Sequence, residues 1–354
     1  MEHKVRGPST KGMKGRVSEL LLKMELKGWV EQDGNLLSSH ELATLLLADP
    51  LAASRFGGEF LLSWDGCTAR DHFGILPGPV PAGTIFCSGK EMGKICPVVP
   101  AMPLEDAIKE AVFLRSTEGI CALSGGVDSS LVAYLSKRPC LAIGLAGSHD
   151  LTQAHLAAEA MNLPCTCVEI TPDDVREGLS AVIGVIPEPT PVNTAIAITQ
   201  YLITRSAREL GHERVLTGQG ADELFGGYAR YLTCTDPGCA LARDFAGLAR
   251  QGFRDQSVAA LNGTYLSLPF LDVRVVRAAR SIPACEMVRD GVGKWPLREI
   301  AARHIPREIA FYRKKAMQYG TGIAKVLRMF ARDNGYKRSL QGYLDQIRTT
   351  GGGA

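Results

Sequence analysis

Eight consecutive residues, Leu123-Ser124-Gly125-Gly126-Val127-Asp128-Ser129-Ser130, restrict what this chain can fold into more than any other stretch. An apolar run, Gly119-Ile120-Cys121-Ala122-Leu123, enters them, and a helical pattern, Leu131-Val132-Ala133-Tyr134-Leu135, leaves. Strand, tight glycine turn and helix start, in that order, make a cradle for a phosphate group. Gly125 and Gly126 let backbone N–H groups approach an anion closely. Ser124, Ser129 and Ser130 add hydroxyls, and the positive end of the helix dipole points to the same place. Asp128 would repel phosphates unless a divalent cation sat between them, so it predicts Mg²⁺. The spacing is not that of a Walker A loop, which is longer and ends in Lys followed by Ser or Thr. An ordinary capped Gly-Gly turn accounts for each residue singly, but not for strand, double glycine, Asp and hydroxyls in register.

A second segment, Val215-Leu216-Thr217-Gly218-Gln219-Gly220-Ala221-Asp222-Glu223-Leu224-Phe225-Gly226-Gly227-Tyr228, repeats the theme of a strand end running into glycines and acids. Asp222 is placed to supply a second oxygen ligand to the cation that Asp128 begins to hold. Either segment alone is explained by an unrelated turn. The first resembles the PP-loop, the pyrophosphate signature of enzymes that split ATP into AMP and pyrophosphate. The pair together resembles the synthetase domain of the asparagine synthetase family, which includes β-lactam synthetases. The resemblance extends through Ala142–Ser148, Leu268–Asp272, Gly293–Arg298, Arg313–Lys315 and Gly320–Gly322, and covers most of residues 104–330.

Composition is that of a soluble enzyme with more than one lobe. The 40 Lys+Arg against 37 Asp+Glu give a net charge of +3, which argues for neither a nucleic-acid nor a membrane partner. No apolar stretch has the length of a membrane span and no signal-peptide core is present, so a cytoplasmic location is expected. The ten cysteines are scattered, several in apolar runs (Cys121, Cys140, Cys165, Cys167), and fit small buried hydrophobes in a reducing compartment better than disulfides or zinc ligands. Self-association is left open.

The texture of the chain divides it. Residues 1–16 read as a basic, poorly ordered tail. Residues 17–103 read as a small α+β lobe, with a helix from Leu20 to Leu26 and a hairpin around Asp33-Gly34-Asn35. A proline-rich stretch from Pro77 through Pro81, then Pro97, Pro100 and Pro103, separates it from residues 104–335. There, strands at 119–123, 140–145, 165–170 and 214–217 alternate with helical patterns, which predicts an α/β fold with a parallel sheet and helices on both faces. Ligands of such sheets bind at the carboxyl ends of the strands. Residues 336–354 read as a C-terminal helix and flexible tail.

The small lobe also carries a resemblance. Gly58–Gly66 and Ala69–Ile75 look like the end of the glutaminase domain of asparagine synthetases, whose nucleophile is an N-terminal cysteine. Here position 2 is Glu2 and no cysteine precedes Cys67. The lobe is therefore expected to be a non-catalytic remnant, with nitrogen supplied by ammonia, another amine or a separate amidotransferase subunit.

The resemblance assigns roles on the synthetase side. Ser124, Gly125, Gly126, Asp128, Ser129 and Ser130 would hold pyrophosphate; Asp128 and Asp222 would hold Mg²⁺. Leu123, Ile143, Thr217 and Gly218 would surround the adenosine of ATP. Lys315 would be the catalytic cation, with Lys314 its rival in the same basic run and a solvated surface lysine the plainer alternative. The expected reaction adenylates a carboxylate, aspartate first among candidates. Three features depart from the asparagine-forming pattern: Gln219 replaces an acid, Tyr265 and Ser267 replace Glu and Arg, and the glutaminase is missing. The competing readings are a PP-loop enzyme that modifies tRNA, for which the basic N-terminus would contact phosphates, and a regulatory protein that binds ATP without chemistry.

Overall fold

Turn residues and alternating apolar positions in the first hundred residues build an antiparallel sheet. The computed structural model of the protein describes residues 10–312 and 320–351, and the chain divides into units Met1–Pro100 and Ala101–Ala354. Unit one contains β1 (Glu25–Gln32), β2 (Asn35–Leu36), β3 (Gly57–Trp64), β4 (Cys67–Arg70), β5 (Thr84–Cys87) and β6 (Lys90–Lys94), in the order β2-β1-β3-β4-β5-β6. Every neighbouring pair is antiparallel. The expected hairpin joins β1 to β2 through Asp33 and Gly34, with φ of 52° and 80°, the two positive values a tight turn between right-twisted strands requires. Phe60, Leu62 and Trp64 alternate inward along β3 and meet Val17, Leu20, Leu42 and Leu46 from helices Thr10–Lys23 and Ser39–Ala48.

Two expectations for this unit are corrected. The helix runs over Thr10–Lys23 and so takes in part of the stretch read as a tail, whereas Leu26 lies in β1 opposite Leu62, where pairing overrides the helical spacing. Cys67 and Cys87 face each other across β4 and β5 and form a disulfide. A separation of 20 residues gives no hint of that register. Of the four apolar-run cysteines, Cys121 and Cys140 are buried and free as read, with burial pushing both thiols up to about 12, whereas Cys165 is half-buried and Cys167 exposed along β9.

Unit two contains the expected parallel sheet: β7 (Ile120–Ala122), β8 (Cys140–Leu145), β9 (Cys165–Ile170), β10 (Arg214–Leu216) and β11 (Tyr265–Ser267), ordered β11-β10-β7-β8-β9. Ile120, Leu141, Val215, Leu216 and Leu266 are almost inaccessible, as continuous apolar strands covered by helices should be. With right-handed crossovers, the helices that follow β7 and β8 cover one face. The chain then returns past β7 to β10, so the helices Pro191–Glu209 and Pro237–Ala260 fall on the other. β11 was not read from sequence because three residues carry no periodicity; its pairing with β10 defines it. Among the described residues, no helix is long and apolar enough to cross a membrane.

Candidate functional site

The strand order reverses at β7, with β8 and β9 on one side and β10 and β11 on the other. A crevice opens at the carboxyl ends of strands where the order reverses. Both glycine motifs lie there: Leu123–Gly126 follows β7, Thr217–Gly220 follows β10, and the two strands pair directly, Leu216 opposite Cys121. The loops touch. A Cβ on Gly218 would fall 2.6 Å from the Asp128 Cβ and 2.8 Å from the Ser129 nitrogen, so the approach demands glycine.

Within the first loop the serines differ. The Ser129 Oγ accepts from the Ser124 N–H at 3.2 Å, bonds the Ser124 Oγ at 2.9 Å and donates to the Gly126 carbonyl at 3.2 Å, so it shapes the loop. Ser130 is fully buried beneath it, its Oγ without a hydrogen-bond partner. Helix Val127–Ser136 starts at Gly126 with no side chain capping its first turn. The positive end of its dipole therefore favours an anion at that point. Leu123, just past β7, and Ile143, within β8, are both buried, and the Leu123 N–H donates to the Leu141 carbonyl at 2.8 Å.

Asp128 and Asp222 meet, but around a residue to which sequence reading gave no role. The Lys294 Nζ donates to Asp128 Oδ2 at 2.6 Å and lies 2.7 Å from Asp222 Oδ1. Burial alone would lower this ammonium; the two carboxylates outweigh it and hold the lysine well above its ordinary range. Lys294 has φ 61° and its N–H donates to the Phe225 carbonyl at 3.0 Å. The Gly293-Lys294 sequence was noted only as part of the resemblance. The signal available was a lysine at a helix start in an apolar setting, which needs a carboxylate partner if it is buried. The ammonium is a stand-in cation, and it shows that the two carboxylates converge on one point and fit a divalent ion. Mg²⁺ takes one or two protein carboxylates and completes its shell with phosphate and water.

The remaining positions sort by what they touch. Thr217 N–H donates to the Ser267 carbonyl at 3.0 Å and fixes the second loop on β11. Gln219 Nε2 donates to Asp255 Oδ2 at 2.8 Å, and Arg254 grips the same carboxylate at 2.7 and 3.0 Å. Glu223 is buried, accepts from the Tyr228 hydroxyl and from Gln251, and is raised by burial. Asp272 caps helix Val273–Arg280 and pairs with buried Arg115 at 2.9 Å. Tyr265 sits at the amino end of the three-residue β11 against Arg214 (2.5 Å), and Ser267 is wholly buried. Lys314 and Lys315 lie outside the described residues. The described residues that flank them are both anchored at one helix start: Tyr312 bonds His149 Nε2 at 2.7 Å, and Gly320 packs on the Asp150 carboxylate.

Comparison with known proteins agrees with these elements. The model of the asparagine synthase family matches residues 103–262 and 247–348. A glutamine-hydrolysing asparagine synthetase assigned in Methanocaldococcus jannaschii is 32% identical over 69% of this chain and 54% of its own. Asparagine synthetase B of Escherichia coli, also named glutamine-hydrolysing, is 31% identical over 63% of this chain and 45% of its own. The chain thus spans about half the length of the curated relatives it matches. An ammonia-dependent NAD synthetase from Campylobacter jejuni aligns with 61% of this chain and 100% of its own at 15% identity and a TM-score of 0.27, a likeness too slight to carry an argument.

Proposed function

Since the chain belongs to the asparagine synthase family, we propose that it is an ATP-dependent ligase that joins a carboxylate to ammonia or another amine. The carboxylate, with aspartate the first candidate, attacks the α-phosphorus of ATP, and pyrophosphate leaves. Mg²⁺ would neutralise charge on the phosphates. The observation that carries this reading is the meeting of Asp128, Asp222 and an uncapped helix start at the reversal point of the sheet. Little covalent chemistry falls to the protein; alignment and charge neutralisation do the work.

In this reading the Gly125–Ser130 turn seats pyrophosphate on helix N–H groups, with Ser129 keeping the turn in shape. Asp128 and Asp222 hold the metal. Leu123, Ile143, Thr217 and Gly218 wall the adenosine, mostly through backbone groups. Lys315 supplies the cation that follows charge onto the leaving phosphates and the tetrahedral intermediate. Gln219, held by Asp255, cannot act as a base, which suits an amine that arrives already neutral. Ammonia or an amine is favoured over glutamine because the stretch that resembles the glutaminase domain, Gly58–Ile75, carries one cysteine, Cys67, and that cysteine is bonded to Cys87.

The test is the fate of labelled ATP with aspartate and other carboxylates, with and without ammonium. AMP and pyrophosphate are expected, with amide formation rising with pH as NH₃ increases. ADP and phosphate would overturn the adenylation, and full turnover on glutamine alone would overturn the nitrogen source.

A further inference from the structure

We propose that Lys294 sets the charge of the cation site, so that a divalent ion is admitted with its triphosphate and not alone. The inference rests on the ATP reading above and concerns a residue to which that reading gives no part. Three features show that the lysine is built into place. Its backbone sits in the left-handed region, which side chains other than Gly, Asn and Asp seldom adopt. A Cβ on Gly227 would fall 1.8 Å from Asp222 Oδ1 and 2.2 Å from the Lys294 Cε, so the stem is enclosed on that side by bare backbone. A Cβ on Gly293 would meet the Gly226 carbonyl at 2.5 Å, which brings the two glycine turns into direct contact.

The exposures of the three side chains give the cluster a direction. Lys294 is 8% exposed, Asp128 21% and Asp222 42%. The ammonium therefore reaches the carboxylates from inside the protein; the second oxygen of Asp128, Oδ1, is itself buried, and Asp222 is the more open of the two. Two aspartates and one lysine leave a net charge of −1 in place of −2. A bare divalent cation meets a buried positive charge behind two half-neutralised carboxylates. A cation already carrying phosphate oxygens brings its own negative ligands and leaves the lysine a partner. Lys294 thus orders loading: it keeps the aspartates together before nucleotide arrives and weakens the site for free metal.

Mn²⁺ alone is the probe, titrated into the full chain without nucleotide and followed by calorimetry and by electron paramagnetic resonance. Wild type should bind Mn²⁺ weakly, and Lys294→Met about tenfold more tightly or better, since a unit charge within ~4 Å is removed. The unfolding midpoint of Lys294→Met should rise further with Mn²⁺ than that of wild type. Lys294→Arg keeps the charge and should keep free-metal binding weak, a result that a purely structural role does not predict. If Lys294→Met is unfolded in metal-free buffer, Mn²⁺ must restore its circular dichroism. Unchanged or weaker Mn²⁺ binding by a folded Lys294→Met, or no rescue of an unfolded one, overturns the proposal. Wild-type product analysis runs in parallel: ADP in place of AMP would sink the ligase reading, while the Mn²⁺ titration judges Lys294 separately.

Discussion

The two units use the same residue types for opposite ends. In unit one, Arg70 and Asp71 turn onto the chain that follows them. The Arg70 guanidinium donates to the carbonyls of Leu76 (2.6 Å), Gly74 (2.7 Å) and Val80 (3.3 Å), and Asp71 accepts from the N–H groups of Ile75 and Leu76. Glu31 likewise accepts from the Gly34 N–H at 2.7 Å. These charges are taken up by backbone groups of the loop they staple. In unit two, Asp128, Asp222 and Lys294 pair with one another at the strand ends, and Asp222 is left partly exposed. A buried charge aimed at its own backbone indicates stability. Charges gathered at strand ends with one side exposed indicate a ligand.

The largest test of that contrast is Asp128→Asn. If the aspartate is there for the metal-bound triphosphate, AMP formation should fall about 10²–10³-fold, a loss of order 3–4 kcal/mol in the transition state. The folded state should persist, because Lys294 retains Asp222. A variant that turns over normally once folded would place Asp128 in the same structural class as Asp71, and the contrast would fail.

The converse test is Asp71→Asn, expected to move stability and leave turnover alone. Burial, against the pull of two backbone N–H groups, pushes Asp71 from 3.8 up to about 6. An acid whose folded value is raised stabilises below its unfolded value and loses that contribution as pH rises through the folded one. The advantage of wild type over Asp71→Asn should therefore be greatest near pH 4 and shrink between pH 4 and 6, the interval the two values span. The change should approach 3 kcal/mol at most, about 1.4 kcal/mol for each pH unit. Denaturant midpoints of both proteins across that range measure it. A difference independent of pH would show that Asp71 is ionised throughout.

How far the site was legible follows from what each residue depends on. The loop after β7 could be read because strand, glycines, Asp and helix are consecutive, and the loop after β10 for the same reason. Their meeting needed only the rule about strand ends. Lys294 could not be read, because its role depends on a contact 166 residues away and on an unusual backbone angle at one position. The Cys67–Cys87 bond depends on register across two strands, and β11 on a neighbour rather than on its own three residues. Tyr265 and Ser267, read as departures near the acceptor, are placed by pairing: one stands on Arg214 at the amino end and the other is closed inside the sheet. Gln219 was visible as a departure, but its partner was not.

That partner gives the smallest of the three tests. Asp255 is fully buried and raised by burial, with Arg254 and the Gln219 amide as its compensating contacts. Gln219→Glu removes the donor and sets two carboxylates at hydrogen-bond distance, where one proton must be shared. The pair's folded titration is then raised, so the variant should match wild type near pH 5 and lose about 1–2 kcal/mol as pH rises to 8. The sign distinguishes this group from Asp128, whose loss should be felt in turnover at every pH. If Gln219→Glu instead raises amide formation at pH 8 with no loss of stability, the new carboxylate is facing the crevice rather than Asp255. Position 219 would then belong with Asp128 and Asp222 among the residues open to ligand, and the line between self-satisfied and ligand-facing charge would run one residue further into the second loop.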